Sequence, residues 1–280
     1  MKKVIYLLAL GVVAGCQPTL IAEFEDKPVV SCFLDAGTSP VLTISKLIAF
    51  RDDAVYSDEN VNALSITITD ITDETEITYP MQPAGSGGKY ENPLFIIQAA
   101  HTYRLDFTYN RKPITATATV PDEPQNVAFS TTSVGIFNRS FVPGSSWNIE
   151  DLPEFDAQLE ITWENEDRNF YMLECFTTST EVVNENQTDA PQSFKADYTQ
   201  NDYAILSSMQ FRYYGDYEVS LVRIQPEYAV MSEGSANTYT SASIDDVKGN
   251  IDGGYGIFTG ISRTTQTITV YAVEVEESTE

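Results

Sequence analysis

Along most of the chain, apolar and polar residues change places at every second position. In "LSITITDI", Leu64, Ile66 and Ile68 alternate with Ser65, Thr67 and Thr69. In "TYRLDFTY", Tyr103, Leu105 and Phe107 alternate with Arg104, Asp106 and Thr108, and "ITATATV" continues the pattern. Period two puts one set of side chains on each face of a pleated strand, one for a core and one for water. Thr, Ile, Val and Tyr, which suit such a half-buried surface, fill most of these positions. Asn110 to Pro113 separates two alternating runs by a hairpin-length break. After the first fifteen residues, no stretch of twelve or more carries a clear helical stripe. One short exception is "QPEYAVMSE", where Pro226 is suited to open about two helical turns. The pattern therefore predicts an all-β protein of packed sheets.

Punctuation divides the pattern in two. In "VPDEPQNV", Pro121 and Pro124 flank two acids directly after a strand, and proline removes ladder donors. Before this point, residues 28–122 hold about seven short strands, the number of an immunoglobulin-like sandwich. After it, residues 125–276 read as a second sandwich. "FDAQLEITWENEDRNFYMLECFTTS" gives two strands joined by an acidic turn, with Trp163 and Tyr171 placed as the Trp and Tyr of fibronectin-type strands B and C. "DYEVSLVRI" and "TQTITVYAVEV" supply later strands, and residues 177–202, rich in Asn, Gln and Asp, read as a long polar loop. The expectation is two immunoglobulin/fibronectin-like β-sandwich modules in tandem.

The N-terminus departs from this pattern. Lys2 and Lys3 precede an apolar run from Val4 to Val13, then Ala14, Gly15 and Cys16. About ten apolar residues are too few to span a bilayer as a helix but suit a secretory signal. "VAGC" resembles the bacterial lipobox, in which the bond between the residues at Gly15 and Cys16 is cut and the thiol is diacylated. On that reading 1–15 is a signal peptide and 16–27 a lipidated tether, held by the lipid bilayer through acylated Cys16. Gln17, rather than Asp, favours the outer membrane. The nearest acids are delayed to Glu23, Glu25 and Asp26, so the choice between periplasmic and cell-surface side stays open.

Charge narrows the partners. The formal net charge is −25, and cleavage removes two lysines and no acid, giving −27. A chain this acidic does not suit nucleic acid. Cys32 and Cys175 each sit in an apolar strand-like run and read as buried free thiols, although an export compartment permits a disulfide.

Candidate chemistry is sparse. The one histidine, His101, lies at a strand start, and Ser39, Ser86 and Ser146 all lack a nucleophile elbow. One His and two scattered Cys cannot make a usual zinc site. "AGSGGKYENP" fails as a phosphate loop, with Pro83 where Gly is needed and Tyr90 after Lys89, and reads as a Gly-rich turn. "GNIDGGYGIFTG" fails as a dinucleotide loop, with Thr259 at its last position, and reads as a kinked strand. The acid pairs Asp52–Asp53, Glu150–Asp151, Glu166–Asp167 and Asp245–Asp246 lack the spacing of a calcium loop and read as solvated. Aromatic residues remain: Tyr213, Tyr214 and Tyr217 in "FRYYGDY", and Tyr255 with Phe258, are ligand-stacking candidates. No catalytic set, metal site or cofactor is expected.

Taken in order, the lipobox, "LIAEFED", "PVVSCFLDAGTSPVLTISKLIAF", "YRLDFTYNRKPITATATVP", "DYEVSLVRIQPEYAVMSEGSANT" and "GNIDGGYGIFTGISRTT" resemble the DUF4249 lipoproteins of the Bacteroidetes. That resemblance implies an outer-membrane lipoprotein in the company of TonB-dependent transporters, with no catalytic residues to carry over. The expected role is non-enzymatic, an accessory or ligand-binding component beside an outer-membrane β-barrel transporter, or else a structural subunit of an envelope complex.

Overall fold

The computed structural model describes residues 25–47, 60–137, 155–184, 190–229 and 249–273. Cys16, Gly15 and the signal segment lie outside these residues, as do Asp52–Asp53, Glu150–Asp151 and Asp245–Asp246. The strands in chain order are β1 (Pro28–Asp35), β2 (Val41–Lys46), β3 (Ile66–Asp70), β4 (Ile77–Pro83), β5 (Lys89–Glu91), β6 (Thr102–Tyr109) and β7 (Lys112–Thr119). There follow β8 (Ala128–Phe129), β9 (Ser133–Phe137), β10 (Gln158–Thr162), β11 (Phe170–Thr177), β12 (Ser193–Lys195), β13 (Tyr203–Ser207), β14 (Gly215–Ile224) and β15 (Tyr255–Val273). The protein is an all-β chain of two immunoglobulin-like sandwiches. Among the described residues helix is confined to short turns, one of which opens at Pro226 as the proline predicts.

Alternation becomes burial strand by strand. In β1, Val30, Cys32 and Leu34 point inward, and in β6 Tyr103, Leu105, Phe107 and Tyr109 do so. With Leu42, Ile44, Ile66, Ile68, Ile114 and Ala116 they form the first core. The second core lies between a three-stranded sheet, β13-β10-β8, and the β11, β14 and β15 region of the large sheet. There Leu159, Ile161 and Leu206 meet Leu173, Cys175, Val219, Leu221, Ile268 and Val270. Trp163 and Tyr171 pack in this core with ring centroids 5.2 Å apart.

One strand serves both cores. β15 pairs in parallel with β1 from Tyr255 to Ile261, then antiparallel with β14 from Ile261 to Val270, and finally in parallel with β9. At about 3.3 Å per residue its nineteen residues run roughly 60 Å. Its burial changes character accordingly. Ile257 to Ser262 are buried without alternation because both faces are covered, whereas Ile268 and Val270 alternate with exposed neighbours. Met172, Val222, Ile224, Ala229 and Ile261 form a small third cluster where it passes between modules.

The stretch from 249 to 260, which the sequence pattern assigned to the second module, is therefore part of the first. Phe258 and Ile251 lie in the first core. Asp252 exchanges both backbone hydrogen bonds with Thr115 of β7 (2.8 and 3.2 Å). Asn250 imitates a strand residue: its Oδ1 accepts from Phe258 N–H at 3.0 Å, and its Nδ2 donates to the carbonyls of Phe258 and Thr117. This joins β7 to the leader of β15 and covers an edge that would otherwise be open. Gly256, at φ +98, lets the strand lie against β1, since a Cβ there would fall 1.9 Å from the Val30 carbonyl oxygen.

The polar stretch 177–202 is less of a loop than its composition predicts. It contains β12, which pairs with β11, and Thr199 and Val182 form bridges to Tyr171 and Tyr213. Asn and Gln hid the pairing because only a few of these positions face the core.

Candidate functional site

The end of β7 and the linker after it are strapped down where the modules meet. Ser262 Oγ of β15 donates to the Asp122 carbonyl at 2.7 Å, and Gln225 Nε2 donates to the Thr119 carbonyl at 2.9 Å. Pro121 and Pro124 are buried. Facing this linker is the turn between β10 and β11, organised by Asn165. Its Nδ2 donates to the carbonyls of Asn169, Gln200 and Asn201, each at 3.0 Å, and its Oδ1 accepts from Asn169 N–H at 2.8 Å. Gln200 Nε2 donates to the Arg168 carbonyl at 2.7 Å. These bonds hold Arg168 at φ +54, an unfavoured region for a side chain of this size.

Between linker and turn lies a cleft of about 520 Å³, walled by residues 119–122, 167–170, 223–226 and Ala100. Its size falls in the range of small-molecule sites, which favour module interfaces. Arg168 is exposed, and Arg223 is half-buried with Nη1 3.5 Å from the Asp122 carbonyl. Among the described residues neither guanidinium has a carboxylate at ion-pairing distance, although Asp122 and Asp167 also belong to the wall. The cleft thus presents cationic donors and anionic acceptors at separate points, an arrangement suited to a polar ligand.

A second polar cluster ties the modules together. Arg263 of β15 reaches Asp35 at the end of β1 (Nε to Oδ2, 2.9 Å) and Glu174 of β11 (Nη1 to Oε2, 2.9 Å), and Lys195 pairs with Glu174. The Nε contact is close but poorly aligned as a hydrogen bond. Burial raises the Asp35 pKa above its usual value despite the Arg263 charge, with Glu174 adding to the rise. Arg263, always a cation, bridges the modules from the strand they share.

Most residues nominated by sequence are structural. Phe258 is fully buried in the first core, and Tyr213 and Tyr217 are buried in the second. Tyr213 donates its hydroxyl hydrogen to the Ala190 carbonyl. The Tyr217 hydroxyl accepts from the backbone N–H groups of Arg212 (3.2 Å) and Tyr213 (3.0 Å). Tyr214 packs at the margin of the same core, and Tyr255 lies in the other module beneath the Lys27 ammonium, 5.5 Å from its ring centre. Tyr213, Tyr217 and Phe258 are thus closed to a stacking ligand, which corrects their place among the two candidate groups. Tyrosine at strand spacing filled cores because its hydroxyl found backbone partners.

Tyr217 has a counterpart in the first module. The Tyr103 hydroxyl accepts from Gln98 N–H at 3.0 Å, five residues upstream, as Tyr217 does from Arg212. A strand-start tyrosine tied to backbone just before it is a tyrosine corner, a feature of immunoglobulin-like sandwiches. Burial pushes the Tyr103 hydroxyl up to about 12 and raises that of Tyr217.

His101 is also structural. Its Nδ1 lies 2.7 Å from Asp70 Oδ2, while Thr72 donates to Asp70 Oδ1 through both backbone N–H and hydroxyl, so the set fastens the end of β3 to the start of β6. Cys32 and Cys175 are free and buried in separate cores, and burial pushes both thiols up to about 12. Among the described residues, no group of three His, Cys, Asp or Glu is arranged to hold a metal ion.

Domain of unknown function (DUF4249) is the family description that matches this sequence, over residues 16–267. The protein belongs to the DUF4249 family. Comparison of the DUF4249 chain with curated proteins found no match. Among solved structures, it is similar to a two fibronectin type-III domain segment from chicken tenascin, with 11% identity over 88% of this chain and 99% of that one, at a TM-score of 0.24.

Arg168 and Arg223 were not legible as a site. The only local signal was "NEDRN", in which Asn165 and Asn169 mark a tight turn that fixes the arginine between them.

Proposed function

We propose that this DUF4249 protein is a non-enzymatic lipoprotein of a bacterial outer membrane, of Bacteroidetes origin, and a ligand-binding accessory of a TonB-dependent transporter system. The observation that carries the binding role is the inter-module cleft with Arg168, which is fixed in its turn and has no ion-pair partner among the described residues. Spending backbone strain and a web of side-chain bonds on one exposed arginine is unrewarded unless that arginine meets something. The lipobox-like run ending at Cys16 supports the anchor, and the family match also begins at residue 16. The buried thiols, the His101–Asp70 strap and the buried tyrosines support a binding module over an enzyme, since these groups all have structural tasks.

Cys16→Ser should leave an uncut or soluble form, because a hydroxyl cannot replace the thiol in acylation; unchanged detergent-phase partitioning sinks the anchor. For the binding role, the full chain is purified from native membranes and its bound small molecules and partners are identified by native mass spectrometry. A β-barrel partner together with a small ligand lost in Arg168→Ala and Arg223→Ala is the expected result. A ligand retained by both variants contradicts the cleft.

A second reading, an assembly subunit that binds only other envelope proteins, is favoured by the edge strand β13. Tyr203 and Ile205 are each 49% exposed there, and an edge with apolar outward residues is open to pairing. A barrel partner with no ligand, released by Ile205→Lys, selects this reading.

A further inference from the structure

We propose that one pole of the first module faces the lipid surface, with the second module held away from it. The pole is formed by the β6–β7 hairpin tip, the start of β1 and the end of β2. The proposal rests on the anchor reading for Cys16 and adds which surface meets the bilayer.

Three observations converge on this pole. First, the end of the N-terminal arm is docked there. The Tyr109 hydroxyl donates to Asp26 Oδ1 at 2.8 Å and Asn110 Nδ2 to Asp26 Oδ2 at 3.1 Å, while Lys27 and Lys112 both pair with Glu25. The arm therefore leaves the protein beside the hairpin. The nine residues from 16 to 24 can reach at most roughly 32 Å. That is about half the length of β15, too short for free reversal of the body on its anchor.

Second, charge nearly balances at this pole, unlike over the described residues as a whole. Lys27, Lys46, Arg111 and Lys112 meet Glu25, Asp26 and Asp252 there, four cations against three anions. The remaining described residues carry seven lysines and arginines against twenty-one acids. A surface of anionic headgroups repels the acidic bulk and tolerates or attracts this end.

Third, β15 fixes what lies opposite. Tyr255 pairs with Val29 at the pole, and the strand then runs away from it into the second module, ending beside β9. The second module and the cleft thus stand clear of the membrane.

The test uses the full chain on vesicles of phosphatidylcholine and phosphatidylglycerol carrying a headgroup-linked quencher. Arg111→Cys at the pole and Met209→Cys, an exposed position in the second module, are each labelled with a thiol fluorophore. Buried Cys32 and Cys175 stay unlabelled in the folded protein. The Arg111 probe should be quenched several-fold more than the Met209 probe. Equal quenching, or stronger quenching at Met209, in a protein that floats with the vesicles overturns the orientation and leaves the anchor standing. A wild-type chain that does not float, or a Cys16→Ser chain that floats equally well, overturns the anchor and the orientation with it. Glu25→Ala with Asp26→Ala provides the internal control: it should float normally yet lose the difference between the probes.

Discussion

The two sandwiches carry the same corner device and different closures. In each, a strand-start tyrosine, Tyr103 or Tyr217, accepts from backbone N–H upstream, and each core buries one free cysteine. The second module draws its strands from residues 128–224 and 261–273, with the 249–260 segment of the first module lying between them. The first draws seven from residues 28–119 and then needs 249–261, whose Asp252 and Phe258 close its sheet and core. Loop-closure entropy grows only with the logarithm of loop length, so a distant strand costs little more than a near one. A module boundary read from local punctuation is therefore not a boundary of folding. The consequence is that neither module is independent of β15.

The largest expected effect is on a fragment that obeys the apparent boundary. Residues 25–124 alone lack Ile251 and Phe258 and should show no cooperative urea unfolding by circular dichroism; a sharp two-state transition contradicts the shared-strand account. Within the full chain, Phe258→Ala should cost about 3–5 kcal/mol and Ile268→Ala about 2–5 kcal/mol. The two thiols tell the modules apart: Phe258→Ala should speed native-state labelling of Cys32 first, and Ile268→Ala that of Cys175. Mass spectrometry of labelled peptides reads the order, and identical patterns mean that the modules open as one.

Gly256→Val tests the close approach to β1. With a Cβ driven onto the Val30 carbonyl at φ +98, the loss should be roughly 3 kcal/mol by denaturant midpoint. Tyr103→Phe and Tyr217→Phe each strip a buried N–H acceptor, and should cost about 1–3 kcal/mol. Similar costs confirm that the two corners are equivalent. The smallest effect is on pH dependence. Burial raises the Asp70 pKa, but hydrogen bonds from Thr72 and His101 outweigh it and hold the carboxyl below its ordinary 3.8. A depressed acid contributes stability that is present above the unfolded-state pKa and lost as pH falls through the folded value. Wild type should thus exceed Asp70→Asn in melting temperature above about pH 4, and the two should converge in more acid solution.

Much of the fold was legible because period two is a local property. The runs at 66–70, 102–109 and 112–119 became strands with the expected faces, and Pro226 opened a helical turn. The site was less legible. Tyr213, Tyr217 and Phe258 have the composition of a stacking surface and the location of a core, and no spacing rule separates the two. Nothing in the spacing around Arg168 marks it out, and only the folded turn, through Asn165 and Gln200, fixes its backbone.

The sequence by itself determined the class: all-β, alternating faces, a break at Pro121–Pro124 and few groups equipped for catalysis. Each follows from residues near one another in the chain, where strand period and proline chemistry act. Tertiary structure alone decided which module owns residues 249–261, that the first sheet closes through Asn250 and Asp252, and that Arg168 and Arg223 share a cleft. Those outcomes depend on which strand edge finds which partner. Backbone hydrogen bonds, chemically alike at every residue, leave that choice to the packing of the whole chain.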